Sequence, residues 1–245
     1  KLGEDHPEIQ QEYRTRGIEA KRDYAGIRPG AEEAFFNRHL VAAQARFELP
    51  MLYRPLEREV KGKDGSSRKY AAIQIMKKDP TQIIVPSPFF SYGHCDPGLK
   101  HDSFGFVGGH PEIDPNTGLV IANITTILEW RPVDKGRGII YPVDYENVEE
   151  QLLSLADIIR LKRLSFDHWN SAMIIQRLYS AGISTSEFKS SFSQPVQREI
   201  YEMTREWITN GRVKLPKRSE SPAAEKLHKE LEELVLMKGR RIDHP

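Results

Sequence analysis

From residue 89 onward the chain alternates between short apolar runs and amphipathic stretches. Strand-like runs rich in aromatic and β-branched residues cover residues 89–96, 103–108 and 119–130, and a turn sequence at residues 114–118 precedes the third. Connections this short suit neighbouring antiparallel strands. The pattern therefore predicts that this half of the chain opens with a three-stranded antiparallel unit.

Helices and strands then alternate. An amphipathic helix is indicated by the helical spacing of Val148, Leu152, Leu155 and Ile159. The predicted elements that follow are a strand at 161–166, a helix closed by Gly182, a strand at 183–192, a helix ending at Gly211, and a last helix that begins at Ser221 and stops at Gly239. This order predicts an α/β fold with a mixed sheet flanked by helices.

The first 86 residues have a different character. They are charged, with predicted helical stretches at 7–23 and 31–45 and an exposed loop at 61–67. We interpret residues 1–86 as a connector or appendage of a domain spanning residues 87–245. The chain begins with Lys1 rather than Met, which indicates a piece of a longer protein.

Charge and cysteine content narrow the function classes. The 245 residues carry 36 basic and 35 acidic side chains, a net charge of +1, so polyanion binding would depend on local basic clusters. A single cysteine, Cys95, excludes an internal disulfide and fits a reducing cytoplasm. Without an apolar run of roughly 18 residues or a signal-peptide pattern, the sequence predicts neither a membrane-spanning nor a secreted protein.

Two aspartates stand at the ends of predicted strands. Asp96 closes the first strand and Asp167 closes the fourth. Two carboxylates that converge repel by roughly 4 kcal/mol at about 4 Å, and a divalent cation relieves this repulsion, so the pair suggests a metal site. From spacing alone each residue has an alternative, Asp96 as a turn residue before Pro97 and Asp167 as a helix N-cap.

Four segments resemble, in the same order, motifs of one family. They are residues 94–105 (HCDPGLKHDSFG), 166–171 (FDHWNS), 211–216 (GRVKLP) and 238–245 (KGRRIDHP). Together they resemble the nuclease domain of tailed-bacteriophage terminase large subunits. The resemblance implies a ribonuclease H-like fold, with three antiparallel strands followed by strands that alternate with helices.

The resemblance also implies a function. It predicts a metal-dependent endonuclease that cuts double-stranded DNA concatemers by two-metal hydrolysis, using Mg²⁺ or Mn²⁺ in the host cytoplasm. Asp96, Asp167 and Asp243 are the implied catalytic metal ligands, with solvated surface as the alternative for Asp243. In the full-length protein the implied partners are an ATPase motor domain, the portal and the small terminase subunit.

Further candidates surround the acidic motifs. Residues expected to support the ligands from outside are Asp102, His94 and His168, with a turn role as the alternative for Asp102. His94 alternates with Asp96 and should share its strand face. Residues expected to contact DNA phosphates are Lys100, His101, Lys162 and Arg163.

The sequence departs from the family pattern at its end. The family continues beyond the Asp-His-Pro stretch into a helix with another essential aspartate, whereas this sequence stops at Pro245, so the site is expected to be unfinished. No Gly-x-x-x-x-Gly-Lys-Ser/Thr phosphate-binding motif occurs, as expected for a nuclease separated from its motor. Alternative interpretations are another ribonuclease H-like nuclease, such as a transposase or junction resolvase, and a catalytically silent DNA-binding or assembly module.

Overall fold

The computed structural model describes residues 34–78, 88–99, 102–166, 172–187, 194–237 and 241–243. Its strands are β1 (Ala45–Phe47), β2 (Met51–Lys61), β3 (Ser67–Lys77), β4 (Ser91–Asp96), β5 (Phe104–Ile113), β6 (Val120–Trp130), β7 (Val133–Asp134), β8 (Ile140–Tyr141), β9 (Leu161–Phe166), β10 (Thr185–Glu187), β11 (Val213–Pro216), β12 (Val235–Met237) and β13 (Arg241–Asp243). Its helices are α1 (Arg38–Ala43), α2 (Tyr145–Ile158), α3 (Ala172–Ser180), α4 (Gln194–Thr209) and α5 (Pro222–Glu233), with a 3₁₀ turn at Arg218–Glu220.

A mixed sheet of seven strands organises the described residues, in the order β1-β11-β6-β5-β4-β9-β10. Strands β4, β5 and β6 form an antiparallel meander, and β9 then pairs parallel to β4 and β10 parallel to β9. This is the ribonuclease H-like arrangement that the sequence predicted. On the other edge β11 pairs parallel to β6, and β1 parallel to β11.

The main core lies between the sheet and helices α2 and α3. Strand β9 alternates, so Leu164 and Phe166 point into this core together with Cys95 of β4. Helix α2 presents Leu152 and Leu155 to the same core, and its first turn is capped by Asp144, whose carboxylate accepts hydrogen bonds from two backbone N–H groups.

Helix α5 packs on the opposite face of the sheet. Ala223 and Ala224 of α5 lie against Ile127 of β6, so the helix covers the β5–β6 half of that face. Ser221 caps the helix and Pro222 follows at its first position, as predicted. The described helices include none long and apolar enough to cross a membrane.

The last predicted helix was too long. It ends at Glu233 rather than at Gly239, and β12 follows and pairs antiparallel with β13. The backbone of Leu234 is extended, and its carbonyl accepts a 2.6 Å hydrogen bond from the N–H of Phe35. Pairing with distant segments therefore overrides the helical spacing of the apolar residues.

Other boundaries also shifted. The helix predicted at 31–45 is confined, among the described residues, to α1, because residues 45–47 pair with β11. The strand predicted at 183–192 is described only as β10. Gly182 and Gly211 have positive φ angles of 91° and 68°, as expected where a chain leaves a helix. The helix predicted at 7–23 lies outside the described residues.

The long hairpin of β2 and β3 contacts the rest of the molecule. The N–H of Ile73 on β3 donates a 2.9 Å hydrogen bond to Oδ1 of Asn147 on α2, and Arg58 of β2 forms ion pairs with Asp144 and Glu150. Residues before position 86 thus share contacts with residues after it. The division of the chain at residue 86 stays a prediction.

Candidate functional site

A cleft of about 250 Å³ opens at the carboxyl end of β4. Asp96, the last residue of β4, is exposed and lines this cleft together with His94. Strands β4, β5 and β6 form the floor, and α5 forms a wall through Lys226 and Glu230. Asp96 therefore lies where a strand-end carboxylate can reach a bound ligand.

Glu129 is a second carboxylate of this cleft and one that sequence reasoning missed. Asp96 pairs with Gly105 across β4 and β5, and Gly105 pairs with Glu129 across β5 and β6, so both acids face the same side. A Cβ at Gly105 would meet no atom within 4 Å, so the space between the acids is open. The available sequence signal was a glutamate inside the apolar run of β6.

Ion pairs neutralise Glu129. Its side chain is 7% exposed, and its two carboxylate oxygens accept hydrogen bonds from Nζ of Lys226 at 2.9 Å and from Arg131 at 3.0 Å. Burial alone would raise the pKa of Glu129, but hydrogen bonds from Lys226 and Ser103 and the charge of Lys226 outweigh it and lower the pKa. Glu129 is therefore ionised at neutral pH and holds Lys226 at the cleft wall.

The ring of His94 is oriented by Ser165 of the neighbouring strand. Its Nδ1 lies 2.9 Å from Oγ of Ser165, and that hydroxyl donates to the carbonyl of Gly93 at 3.2 Å. This hydrogen bond holds the imidazole ring of His94 against β9. The predicted shared face of His94 and Asp96 is confirmed.

Asp167, the second predicted ligand, is the next residue in the sequence after Phe166, the last residue of β9. The pairing of β4 with β9 is described as far as Cys95 opposite Phe166, one residue before Asp96 and Asp167 respectively. Asp167, His168, Lys100 and His101 lie outside the described residues. Their predicted roles stay predictions.

Asp243 is described only as a backbone position, in β13, opposite Val235. Its neighbour Ile242 packs in a second core with Phe36 and Leu215, at the β1–β11 edge of the sheet. Strands β6 and β5 separate β11 from β4 in the sheet order. The predicted role of Asp243 as a metal ligand stays a prediction.

Asp102 is exposed in the connection from β4 to β5. A Cβ at Gly98 would lie 2.3 Å from the carbonyl oxygen of Asp102, so only glycine fits the close approach of these two segments. The hydroxyl of Tyr145 donates to the carbonyl of Gly98 at 3.3 Å and fixes the connection onto α2. A supporting role of Asp102 at a metal site stays a prediction.

Lys162 and Arg163 lie toward the opposite end of β9 from Phe166. Arg163 precedes Phe166 by three residues, about 10 Å along a strand. Lys162 lies over the ring of Phe90, with Nζ 5.2 Å from the ring centroid. The two side chains point to opposite faces of the sheet, and their predicted contacts with DNA stay predictions.

The donor chemistry of the described residues fits part of a metal site. Asp96 supplies a carboxylate, the ligand type that Mg²⁺ and Mn²⁺ prefer. Within the described ranges, no group of three His, Cys, Asp or Glu side chains is placed to hold a metal ion. Burial raises the pKa of Tyr145, and the negative charge of Asp96 adds to that shift, as expected beside an ionised carboxylate.

Comparison with known proteins places the fold. No family model matches the sequence, and no curated protein matches it significantly. The structure is similar to that of the HK97 bacteriophage large terminase, with a TM-score of 0.51 and 13% identity over 100% of this chain and 46% of that one. The chain therefore spans about half the length of the HK97 protein, and the two share a fold.

Two further similar structures come from the thermophilic phage G20c. Its large terminase nuclease gives a TM-score of 0.47 and 15% identity, over 86% of this chain and 87% of that one. The same nuclease with bound magnesium gives a TM-score of 0.49 and 14% identity, over 88% of each chain.

Proposed function

We propose that this chain is the metal-dependent endonuclease domain of a viral DNA-packaging terminase, which cuts double-stranded DNA concatemers in the host cytoplasm. One observation carries the proposal. Asp96 ends a central strand of a ribonuclease H-like sheet and is exposed in a cleft of about 250 Å³. A carboxylate exposed in a cleft can reach a bound cation, as a metal ligand must.

The proposed metal ligands are Asp96, Asp167 and Asp243. Asp167 is the next residue in the sequence after Phe166, and Phe166 pairs with Cys95, the residue before Asp96. This register of β4 and β9 supports the proposal. Mg²⁺ or Mn²⁺ held by such carboxylates supplies an activated water and stabilisation of the leaving 3′-oxygen.

Other residues of the cleft have roles that their contacts support. Ser165 holds the ring of His94 on the face of Asp96, so His94 can orient the carboxylate or a bound phosphate. Lys226, held by Glu129, lies at the wall of the cleft, where its ammonium group can donate a hydrogen bond to a phosphodiester. The packaging partners, an ATPase motor, portal and small terminase subunit, are part of the proposal.

The test is plasmid cleavage with Mn²⁺ by the chain and by Asp96→Asn. This substitution keeps the shape of the side chain and removes its charge, so cleavage and calorimetric Mn²⁺ binding should both fall by at least tenfold. Asp157→Asn is the matched control, because Asp157 is an exposed residue at the end of α2 that does not line this cleft. Cleavage by Asp96→Asn at the rate of the control would contradict the proposal.

Two outcomes select the alternatives. Preferential cutting of four-way junctions over linear duplex would indicate a junction-resolving nuclease. DNA binding without any Mn²⁺ binding would indicate a catalytically silent module.

A further inference from the structure

We infer that a DNA strand bound at the Asp96 cleft continues along the open sheet face of β4 and β9, where Tyr92 and Arg163 contact its phosphates. This inference rests on the proposed function and adds a substrate-binding surface to it. It also assigns DNA contact to Arg163 and not to the adjacent Lys162, although the sequence alone gives no reason to distinguish these two basic residues.

Strand register places Tyr92 and Arg163 on the same face as Asp96. Side chains alternate along β4, so Tyr92 and His94 share the face of Asp96. In the parallel pairing of β4 with β9, Tyr92 lies opposite Arg163 and His94 opposite Ser165. The hydrogen bond between His94 and Ser165 shows that these paired side chains project to the same side.

This face is open where β4 and β9 meet. Tyr92 is 45% exposed and Arg163 is exposed. Among the described residues, helix α5 packs on the β5–β6 half of the face through Ala223 and Ala224. The other face of the same two strands is buried, with Cys95 and Phe166 at 0% exposure.

The spacing suits a bound nucleic-acid backbone. Tyr92 precedes Asp96 by four residues on β4, about 13 Å along a strand. A DNA strand carries a phosphate at every nucleotide, so a strand that reaches Asp96 also presents phosphates at this distance from it. A guanidinium donates two parallel hydrogen bonds to a phosphate, and a tyrosine hydroxyl donates one, without reading the base sequence.

Lys162 belongs to a different surface. Its Nζ lies over the ring of Phe90. The guanidinium of Arg160 also lies over this ring, 4.4 Å from the ring centroid. These three side chains line a separate groove with residues of α2, on the opposite side of the sheet from Asp96. Lys162 is therefore a matched control for Arg163, since both are exposed cations on adjacent positions of β9.

The experiment measures binding of a short DNA duplex by fluorescence anisotropy over a range of salt concentrations. Arg163→Ala should weaken binding several-fold and reduce the slope of log K against log salt by about 1, as expected for one lost phosphate contact. Lys162→Ala should leave both quantities unchanged. Arg163→Lys keeps the charge and should restore the salt slope, which separates a phosphate contact from a purely structural role.

Equal effects of Arg163→Ala and Lys162→Ala, or an unchanged salt slope in Arg163→Ala at an unchanged melting temperature, would overturn the inference. Failure of the proposed function has a different signature, because Asp96→Asn would then cut DNA as well as the control does. If Asp96→Asn loses cleavage while the two basic variants bind alike, only the inference about the DNA path is wrong.

Discussion

Asp96 and Glu129 lie in one row on the same face of the sheet, and Gly105 of β5 lies between them in that row. The gap matters because a Cβ at Gly105 would meet no atom within 4 Å, whereas a Cβ at Gly93 would lie 2.6 Å from the ring of Phe106. Gly105 thus leaves space in the cleft between the two carboxylates, whereas Gly93 leaves the space that the ring of Phe106 occupies in the core.

Gly105→Ala should fold normally and impair function. Alanine is about 0.5–1 kcal/mol better than glycine inside a strand, and the added methyl group has room. The same methyl projects into the cleft beside Asp96, so Mn²⁺-dependent cleavage should fall several-fold at an unchanged or higher melting temperature. Gly93→Ala is the contrasting variant, with an expected loss of about 1–3 kcal/mol from overpacking. Unaltered cleavage by Gly105→Ala would remove the argument that the gap admits substrate.

Glu129→Gln should change the dependence of stability on pH. The pKa of Glu129 is lowered in the folded protein, so its stabilising contribution is present above its unfolded pKa and is lost as pH falls through the folded value. We expect the variant to lose about 1–2 kcal/mol of unfolding free energy at pH 7, because it leaves Lys226 without its buried partner. The difference should shrink below about pH 4.

Urea unfolding at neutral and acidic pH measures this effect. Glu230→Gln is the matched control, since Glu230 also faces Lys226, at 3.6 Å, but its side chain is 47% exposed. Its substitution should cost less than about 0.5 kcal/mol. A pH dependence in Glu129→Gln identical to that of the unaltered chain would show that Glu129 does not titrate as its contacts indicate.

Much of the fold was predictable from the sequence. Strands β4 to β6 and β9 each show an alternation of apolar and polar residues within their own sequence. Strand β9 was predicted with the bounds that the structure has. Segments whose structure depends on distant partners were not predictable in this way. β1 is a three-residue strand that exists by pairing with β11, and β12 interrupts an apolar helical spacing because β13 pairs with it.

Of the two carboxylates that line the cleft beside one another, the sequence pointed only to the one that ends a strand. Asp96 is that residue, and the structure exposes it in a cleft. Glu129 lies inside β6 and is brought beside Asp96 by the register of three strands. The register of β9 also places Lys162 and Arg163 on opposite faces of the sheet, whereas in the sequence they are simply two adjacent basic residues.

Asn147→Ala should strongly destabilise the protein. Oδ1 of this buried asparagine accepts hydrogen bonds from the N–H of Ile73 and from Nε1 of Trp130, each at 2.9 Å. Alanine would leave two buried donors without a partner, at a cost of about 2–4 kcal/mol. Asn147→Asp keeps an acceptor oxygen and should cost less.

Chemical denaturation of these variants also tests how the hairpin of β2 and β3 is coupled to the sheet. Gln151→Ala is a milder control, because Oε1 of Gln151 accepts one partly buried hydrogen bond from the N–H of Ile75, at 3.0 Å. A loss of stability in Asn147→Ala no greater than that in Gln151→Ala would mean that the bridge from Ile73 to Trp130 contributes little.

Cys95 should report whether a cation binds at its neighbour Asp96. Its thiol is fully buried, and burial, with a further contribution from the charge of Asp96, raises its pKa well above the ordinary value. A thiol reagent can therefore modify Cys95 only when β4 transiently detaches from the sheet. A ligand that binds only the intact sheet stabilises that state, so the detached state becomes rarer and labelling becomes slower. We expect Mn²⁺ to slow labelling of the native chain and to have no effect in Asp96→Asn. Equal protection in both proteins would place the bound cation elsewhere, because Asp96 is the carboxylate that opening of β4 displaces.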